Sequence, residues 1–157
     1  MRFRSTLALS VLALLCVEAA GGAVAQDLPE GVIEFTPSDV KWSPRPGAQA
    51  GLEQAELLGS QEKAGPYTVR LRFPAGYKGA LHTHPDSKQY TIISGTWCIG
   101  YGGTADSAKL KCLPAGSFYT EPANTPHYVE ARDAVVVQVS GSGPSGTTAV
   151  NPEPKKN

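Results

Sequence analysis

Gly76-Tyr-Lys-Gly-Ala-Leu-His82-Thr-His84-Pro-Asp-Ser-Lys88-Gln89-Tyr-Thr-Ile-Ile-Ser-Gly95 is the stretch on which the reading of this chain turns. The sequence has 3 histidines, and two of them stand here one residue apart. On an extended strand, residues i and i+2 point to the same face. His82 and His84 therefore aim two imidazoles at one point, the minimum geometry for gripping a metal ion. Alone, the pair is a weak motif, and two ordinary half-buried or surface histidines would read the same way. The third histidine, His127, lies further on in Glu121-Pro-Ala-Asn-Thr-Pro-His-Tyr128.

On both sides of this stretch the pattern is that of strands. Tyr67 to Phe73 alternates apolar and polar residues, with Tyr67, Val69, Leu71 and Phe73 on one side, as in a half-buried antiparallel strand. Leu81 to His84 reads as a short strand, and Gln89 to Ile93, β-branched and apolar, as a buried one. Thr96 to Tyr101 and Ala108 to Leu113 flank Gly102-Gly-Thr-Ala-Asp106, a hairpin by its turn residues. Ser117 to Thr120, Tyr128 to Ala131 and the apolar Ala134 to Ser140 follow, with Thr147 to Val150 as a last edge strand. Upstream, Gln54 to Leu58 is a short strand, and the proline- and glycine-rich Ser43 to Gly51 is a loop. The 17 glycines and 13 prolines punctuate these runs and form no low-complexity tract. No amphipathic helix pattern is present. About eight to ten short, closely spaced strands make the chain all-β, a sandwich or barrel. Pattern alone leaves a jelly roll and an immunoglobulin-like sandwich both open.

A length of 157 residues suggests one domain with an ordinary hydrophobic core. The 14 basic and 14 acidic side chains cancel, which argues against a nucleic-acid binder, since that would need a basic face. Residues 1–25 read as a signal peptide: Arg2 and Arg4, an apolar Leu7 to Val17, and Ala23-Val24-Ala25 as the small-x-small cleavage site. The apolar run is short for a membrane span, so a retained anchor is the lesser alternative. The expectation is a periplasmic or secreted protein beginning at Gln26, with no membrane contact after signal removal. Residues 26–66 then form an N-terminal arm and first strands, 67–150 the β-barrel, and 151–157 a flexible tail.

In this context the motifs resemble those of the cupin superfamily. Its first motif, G-x5-H-x-H-x(3,4)-E-x6-G, is met by Gly76, His82, His84 and Gly95. Its second, G-x5-P-x-G-x2-H-x3-N, is met by Gly116, Pro122 and His127, with Asn124 where glycine is usual and Ala131 where asparagine is usual. The resemblance implies a double-stranded β-helix, the jelly-roll barrel of cupins, with His82, His84 and His127 converging inside it. It also implies one divalent transition metal as cofactor (iron, zinc, copper, nickel or manganese), a small-molecule ligand, and pairing of two copies into a homodimer through edge strands.

The departure is at the acidic position, where the spacing puts Lys88. An ammonium has no lone pair to give a metal. Gln89 offers a carbonyl oxygen if the spacing to Gly95 shrinks by one, but Lys88 and Gln89 point to opposite faces. The reading favours Lys88 at the family's position, hence a three-histidine site without a carboxylate; a cupin that has lost its metal is the alternative. Cys98 and Cys112 fall opposite each other in a hairpin centred on Ala105, within disulfide reach, and an oxidising compartment favours the bond. Asp86, Glu121, Glu130 and Asp133 read as solvated charges. The aromatics near the motifs read mostly as core, with one or two lining a pocket.

Three functions remain in competition. The first is an enzyme, dioxygenase-like or isomerase-like, using the open positions of a three-histidine metal. The second is a non-catalytic module that holds a small ligand or a metal. The third is a metal-free structural cupin.

Overall fold

The computed structural model describes residues 28–151. The signal-peptide reading of residues 1–25 and nearly all of the C-terminal tail lie outside the described residues. By its contacts the chain divides after Glu34, and the unit from Phe35 onward contains the barrel. In the first unit a turn closes with the Val32 N–H donating to the Pro29 carbonyl.

Among the described residues, eleven strands build two antiparallel sheets. They are β1 (Ser43–Pro44), β2 (Glu53–Leu58), β3 (Gly65–Phe73), β4 (Lys78–Thr83), β5 (Lys88–Ser94), β6 (Thr96–Tyr101), β7 (Lys111–Pro114), β8 (Phe118–Glu121), β9 (His127–Ala131), β10 (Val135–Gly143) and β11 (Thr148–Ala149). One sheet has the order β1-β2-β3-β10-β5-β8, the other β11-β4-β9-β6-β7. From β3 onward the chain crosses between the sheets at every connection except the β6–β7 hairpin, which is the double-stranded β-helix arrangement. Among the described residues no helix is long and apolar enough to cross a membrane.

Period-two alternation builds the core. Tyr67, Val69 and Phe73 of β3, Tyr90 and Ile92 of β5, and Val135, Val137 and Val139 of β10 turn inward from the first sheet. Trp97 and Ile99 of β6 and Val129 and Ala131 of β9 meet them from the second. Gly76 and Gly95, which bracket the two-histidine stretch, both turn at φ 75°, a left-handed conformation that costs a side-chain-bearing residue energy.

Most strand ends differ from the sequence expectation by a few residues, and the expected loop from Ser43 opens with the short strand β1; two of the differences bear on the site and the disulfide. The strand expected over Leu81 to His84 instead runs Lys78–Thr83 and ends before His84. The return strand expected from Ala108 starts at Lys111, because Ser107–Lys109 forms a single 3-10 turn. The Asp106 side chain accepts the Ala108 N–H at 3.0 Å, and the Asp106 carbonyl accepts the Tyr128 hydroxyl at 2.8 Å, which together fix that turn. The extra turn is absorbed in the loop, so the register is kept: Cys98 and Cys112 are direct cross-strand partners joined by a disulfide.

Candidate metal centre

His82 on β4 and His127 at the start of β9 are Cα partners across the ladder. His84 follows just past the end of β4. The ring centroids lie 4.1 Å apart for His82 and His127, 4.9 Å for His82 and His84, and 5.1 Å for His84 and His127. One ligand nitrogen from each falls within 4.8 Å of the others, the only such group of histidine, cysteine and carboxylate side chains among the described residues.

The three rings are held in the same way. Nδ1 of His82 donates to the Ala80 carbonyl at 2.6 Å, Nδ1 of His84 to the Gly146 carbonyl at 2.6 Å, and Nδ1 of His127 to the Thr125 carbonyl at 3.0 Å. A carbonyl only accepts, so each Nδ1 carries the proton and each Nε2 keeps its lone pair. Outer-shell bonds of this kind fix tautomer and ring orientation in metal sites. The donor set therefore fits a transition metal.

The two motif loops are tied together behind the rings. The Asn124 N–H donates to the His84 carbonyl at 2.7 Å, and the Ala123 N–H to the Ser87 hydroxyl at 3.1 Å. Asn124 stands at φ 61°, the left-handed region that asparagine tolerates better than other side-chain-bearing residues. That accounts for asparagine in the family's glycine position.

Of the two residues competing for the acidic position, Lys88 points into the barrel and Gln89 is exposed on the outer face. Lys88 does not stand alone there. Its direct cross-strand partner is Glu121, and its ammonium lies 3.9 Å from Asp86 Oδ1. The expectation that Asp86 and Glu121 are solvated is wrong: they are 9% and 1% exposed. Asp86 is buried because its oxygens are satisfied, by the Tyr67 hydroxyl at 2.6 Å and the Ser145 hydroxyl at 2.7 Å. Gly141 makes the room, since a Cβ there would come within 2.6 Å of the Tyr67 hydroxyl and 2.8 Å of Asp86 Oδ2. Glu121 is buried opposite a cation, and its Oε1 accepts the Tyr90 hydroxyl at 3.5 Å. Its Oε2 stands 3.3 Å from His127 Nδ1 but lacks a hydrogen bond, because that N–H is directed at Thr125. Sequence did carry one signal for Glu121: it shares the inward face of Tyr119, two residues before it. Of the remaining carboxylates, Glu130 pairs with Lys78 at 3.5 Å, and Asp133 accepts the Thr96 N–H at 2.7 Å.

Burial dominates the electrostatics. It pushes His84 down to about 3 and His127 down to about 4, with the positive charge of Lys88 adding to both, and it lowers His82. The histidines are thus held neutral, the form that binds metal. Burial also brings Lys88 down to about 8 against the pull of Asp86 and Glu121, and raises Glu121 to about 7 against that of Lys88.

A cavity of about 530 Å³ adjoins the histidines. Its walls include Phe73, Tyr77, Tyr90, Trp97 and Tyr119, more aromatics than the one or two expected. Tyr90 and Tyr119 stack with centroids 4.4 Å apart, and Trp97 Nε1 donates to the Tyr119 hydroxyl at 3.0 Å. Tyr101 and Phe118 are instead exposed. Arg45, in a loop that gave no sequence signal, also lines the cavity.

This architecture is found among solved structures. An RmlC-like cupin from Shewanella frigidimarina superposes with TM-score 0.55 at 18% identity, covering 69% of this chain and 87% of that one. KdgF from a Halomonas species gives 0.54 at 17% identity, over 69% of this chain and 92% of that one. The polyketide cyclase RemF from Streptomyces resistomycificus gives 0.62 at 13% identity, over 76% and 86%. At such identities these similarities speak for the fold. No curated protein matches the sequence significantly. Two antiparallel sheets closed around three convergent histidines define a cupin, and the chain belongs to that superfamily through the ChrR cupin-like domain family, whose pattern matches residues 31–145.

Proposed function

We propose that the protein is an exported, metal-dependent cupin that holds one divalent transition metal on His82, His84 and His127 and presents it to a small organic molecule in the adjoining cavity, as an enzyme of oxygenase or related type. The observation that carries this reading is the shared Nδ1–H···O=C bonding of the three histidines, which leaves three Nε2 lone pairs free. Iron, copper, nickel and zinc suit imidazole ligands best. Such an ion supplies Lewis acidity or a platform for oxygen. The chain's own contribution is to hold three rings neutral and oriented, and to wall the cavity with aromatics that exclude water. With three neutral ligands, the ion's charge is left for the substrate to balance.

One observation favours a second reading, a non-catalytic module that binds a metal or small ligand: Lys88 replaces the family's carboxylate. Metal analysis of mature protein purified without tag or chelator, followed by oxygen uptake against phenols, thiols and diketones, separates the two. Less than stoichiometric metal defeats the metal-centred reading. Stoichiometric metal without turnover on any class favours the binding module. Export is read from residues 1–25, and an intact mass beginning at Gln26 in exported protein is its test.

A further inference from the structure

We infer that Arg45 is the anion anchor of the cavity beside the histidines, and that the ligand it takes is a small organic carboxylate with an apolar or aromatic body. This deepens the reading above and rests on it for the cavity being a ligand site.

Arg45 sits in the tight loop between β1 and β2, pinned by its own backbone. Its N–H donates to the Leu52 carbonyl at 3.0 Å, and its carbonyl accepts the Ala48 N–H at 3.3 Å. The loop contributes Arg45, Ala48 and Leu52 to the cavity wall. Nη1 donates to Gln54 Oε1 at 3.2 Å and to Gln61 Oε1 at 3.1 Å, two neutral acceptors. A guanidinium has five N–H donors. Those on Nε and Nη2 make no side-chain hydrogen bond among the described residues, and none of the ion pairs there includes Arg45. The glutamates of β2 are engaged elsewhere, Glu53 with Arg72 and Glu56 with the Ser60 hydroxyl. Lys88 is matched by Asp86 and Glu121, whereas Arg45 is not.

A half-buried cation in a cavity wall, with donors to spare, is the arrangement that an anionic ligand completes. The shape of the site narrows the anion. One planar fork matches the two oxygens of a carboxylate. A phosphate dianion would call for more donors than this wall supplies. The remaining lining, Leu52, Leu71, Phe73, Trp97 and Val129 among it, asks for an apolar body. About 530 Å³ is the size of a small-molecule site.

The test uses chelator-treated, metal-free protein and calorimetric titration with benzoate, phenylacetate and hexanoate, each beside its primary amide. At least one carboxylate should bind tenfold or more tighter than its amide. Arg45→Gln should abolish that preference while leaving amide binding in place, and Arg45→Lys, which keeps the charge without the fork, should retain part of it. The inference is overturned if no carboxylate binds, if acid and amide bind alike, or if Arg45→Gln keeps the preference. Should Arg45→Gln lose both ligands, the loop has moved and Arg45→Lys decides: a surviving preference supports the anchor, an absent one defeats it. Because no metal is present in the titration, failure here leaves the three-histidine reading standing, and failure of metal uptake leaves this result standing.

Discussion

Lys88 faces Glu121 directly across the β5–β8 ladder, with both side chains inside the barrel and almost fully removed from water. The carboxylate that the cupin motif places on β5 is thus displaced to the neighbouring strand, and a lysine takes its position. Direct cross-strand partners couple strongly, and like charges there are destabilising.

Lys88→Glu should therefore act oppositely on folding and on metal binding. It sets a carboxylate where the family carries its fourth ligand, so metal affinity should rise tenfold or more. It also leaves three carboxylates, at 86, 88 and 121, without a cation. Removing one partner of a buried pair costs about 3–5 kcal/mol, so metal-free stability should fall by about that much. Denaturation in chelator and a competitive metal titration measure the two effects. Unchanged affinity would mean that position 88 does not reach the metal.

Glu121→Gln isolates the acid behind His127. Its Oε2 stands 3.3 Å from His127 Nδ1 without sharing that N–H, so it acts on the ring and on a bound cation through its charge alone. Metal should bind measurably more weakly, by less than about tenfold, while metal-free stability stays within about 1 kcal/mol, because glutamine keeps the shape and Asp86 still pairs with Lys88. An affinity equal to wild type would show that Glu121 serves Lys88 alone.

Much of the fold was legible because it rests on local patterns. Alternation over Tyr67 to Phe73 marked an inward face, and the turn residues Gly102 to Asp106 fixed a register that places Cys98 opposite Cys112. The histidines were legible because H-x-H lies at a strand end and the second motif supplies His127. Asp86 and Glu121 were misread for a physical reason. A charge is buried only when its partners are present, and these come from other strands and loops: Tyr67 and Ser145 for Asp86, and Lys88 for Glu121. Arg45 was invisible because nothing in a proline- and glycine-rich loop reveals which side chain folds back over a cavity.

The depressed histidine values set the acid limit of metal binding. Three ordinary imidazoles, each with pKa near 6.5, would together lose about a thousandfold in affinity at pH 5.5, about tenfold each. Here His84 at about 3 and His127 at about 4 stay neutral at that pH. The loss between pH 7 and 5.5 should thus be at most about tenfold, coming from His82 and from protonation of Glu121 near 7. The same shifts destabilise the metal-free fold in acid. Below 6.5 the unfolded chain takes up protons that folded His84 and His127 refuse, so their contribution to stability falls with pH until their folded values are reached. Metal titrations from pH 7 to pH 5 decide this, and a thousandfold loss by pH 5.5 would show ordinary histidines.

The disulfide tests the hairpin independently of the centre. Cys98 and Cys112 close a loop of 14 residues' separation at the end of the second sheet, with β7 on its edge and β6 held on its other side by β9. Chain entropy gives such a crosslink roughly 3 kcal/mol. The double variant Cys98→Ala and Cys112→Ala should lose about that much stability in metal-free denaturation. Metal affinity should move less than threefold, because His127 is positioned by its pairing with His82 on β4 and by the Thr125 carbonyl, neither of which the crosslink touches. Wild-type protein from an oxidising compartment, denatured without reductant, should show no free thiol at positions 98 and 112. Two free thiols there would remove the staple, and a large loss of metal in the double variant would show that the hairpin and the histidine centre form one cooperative unit.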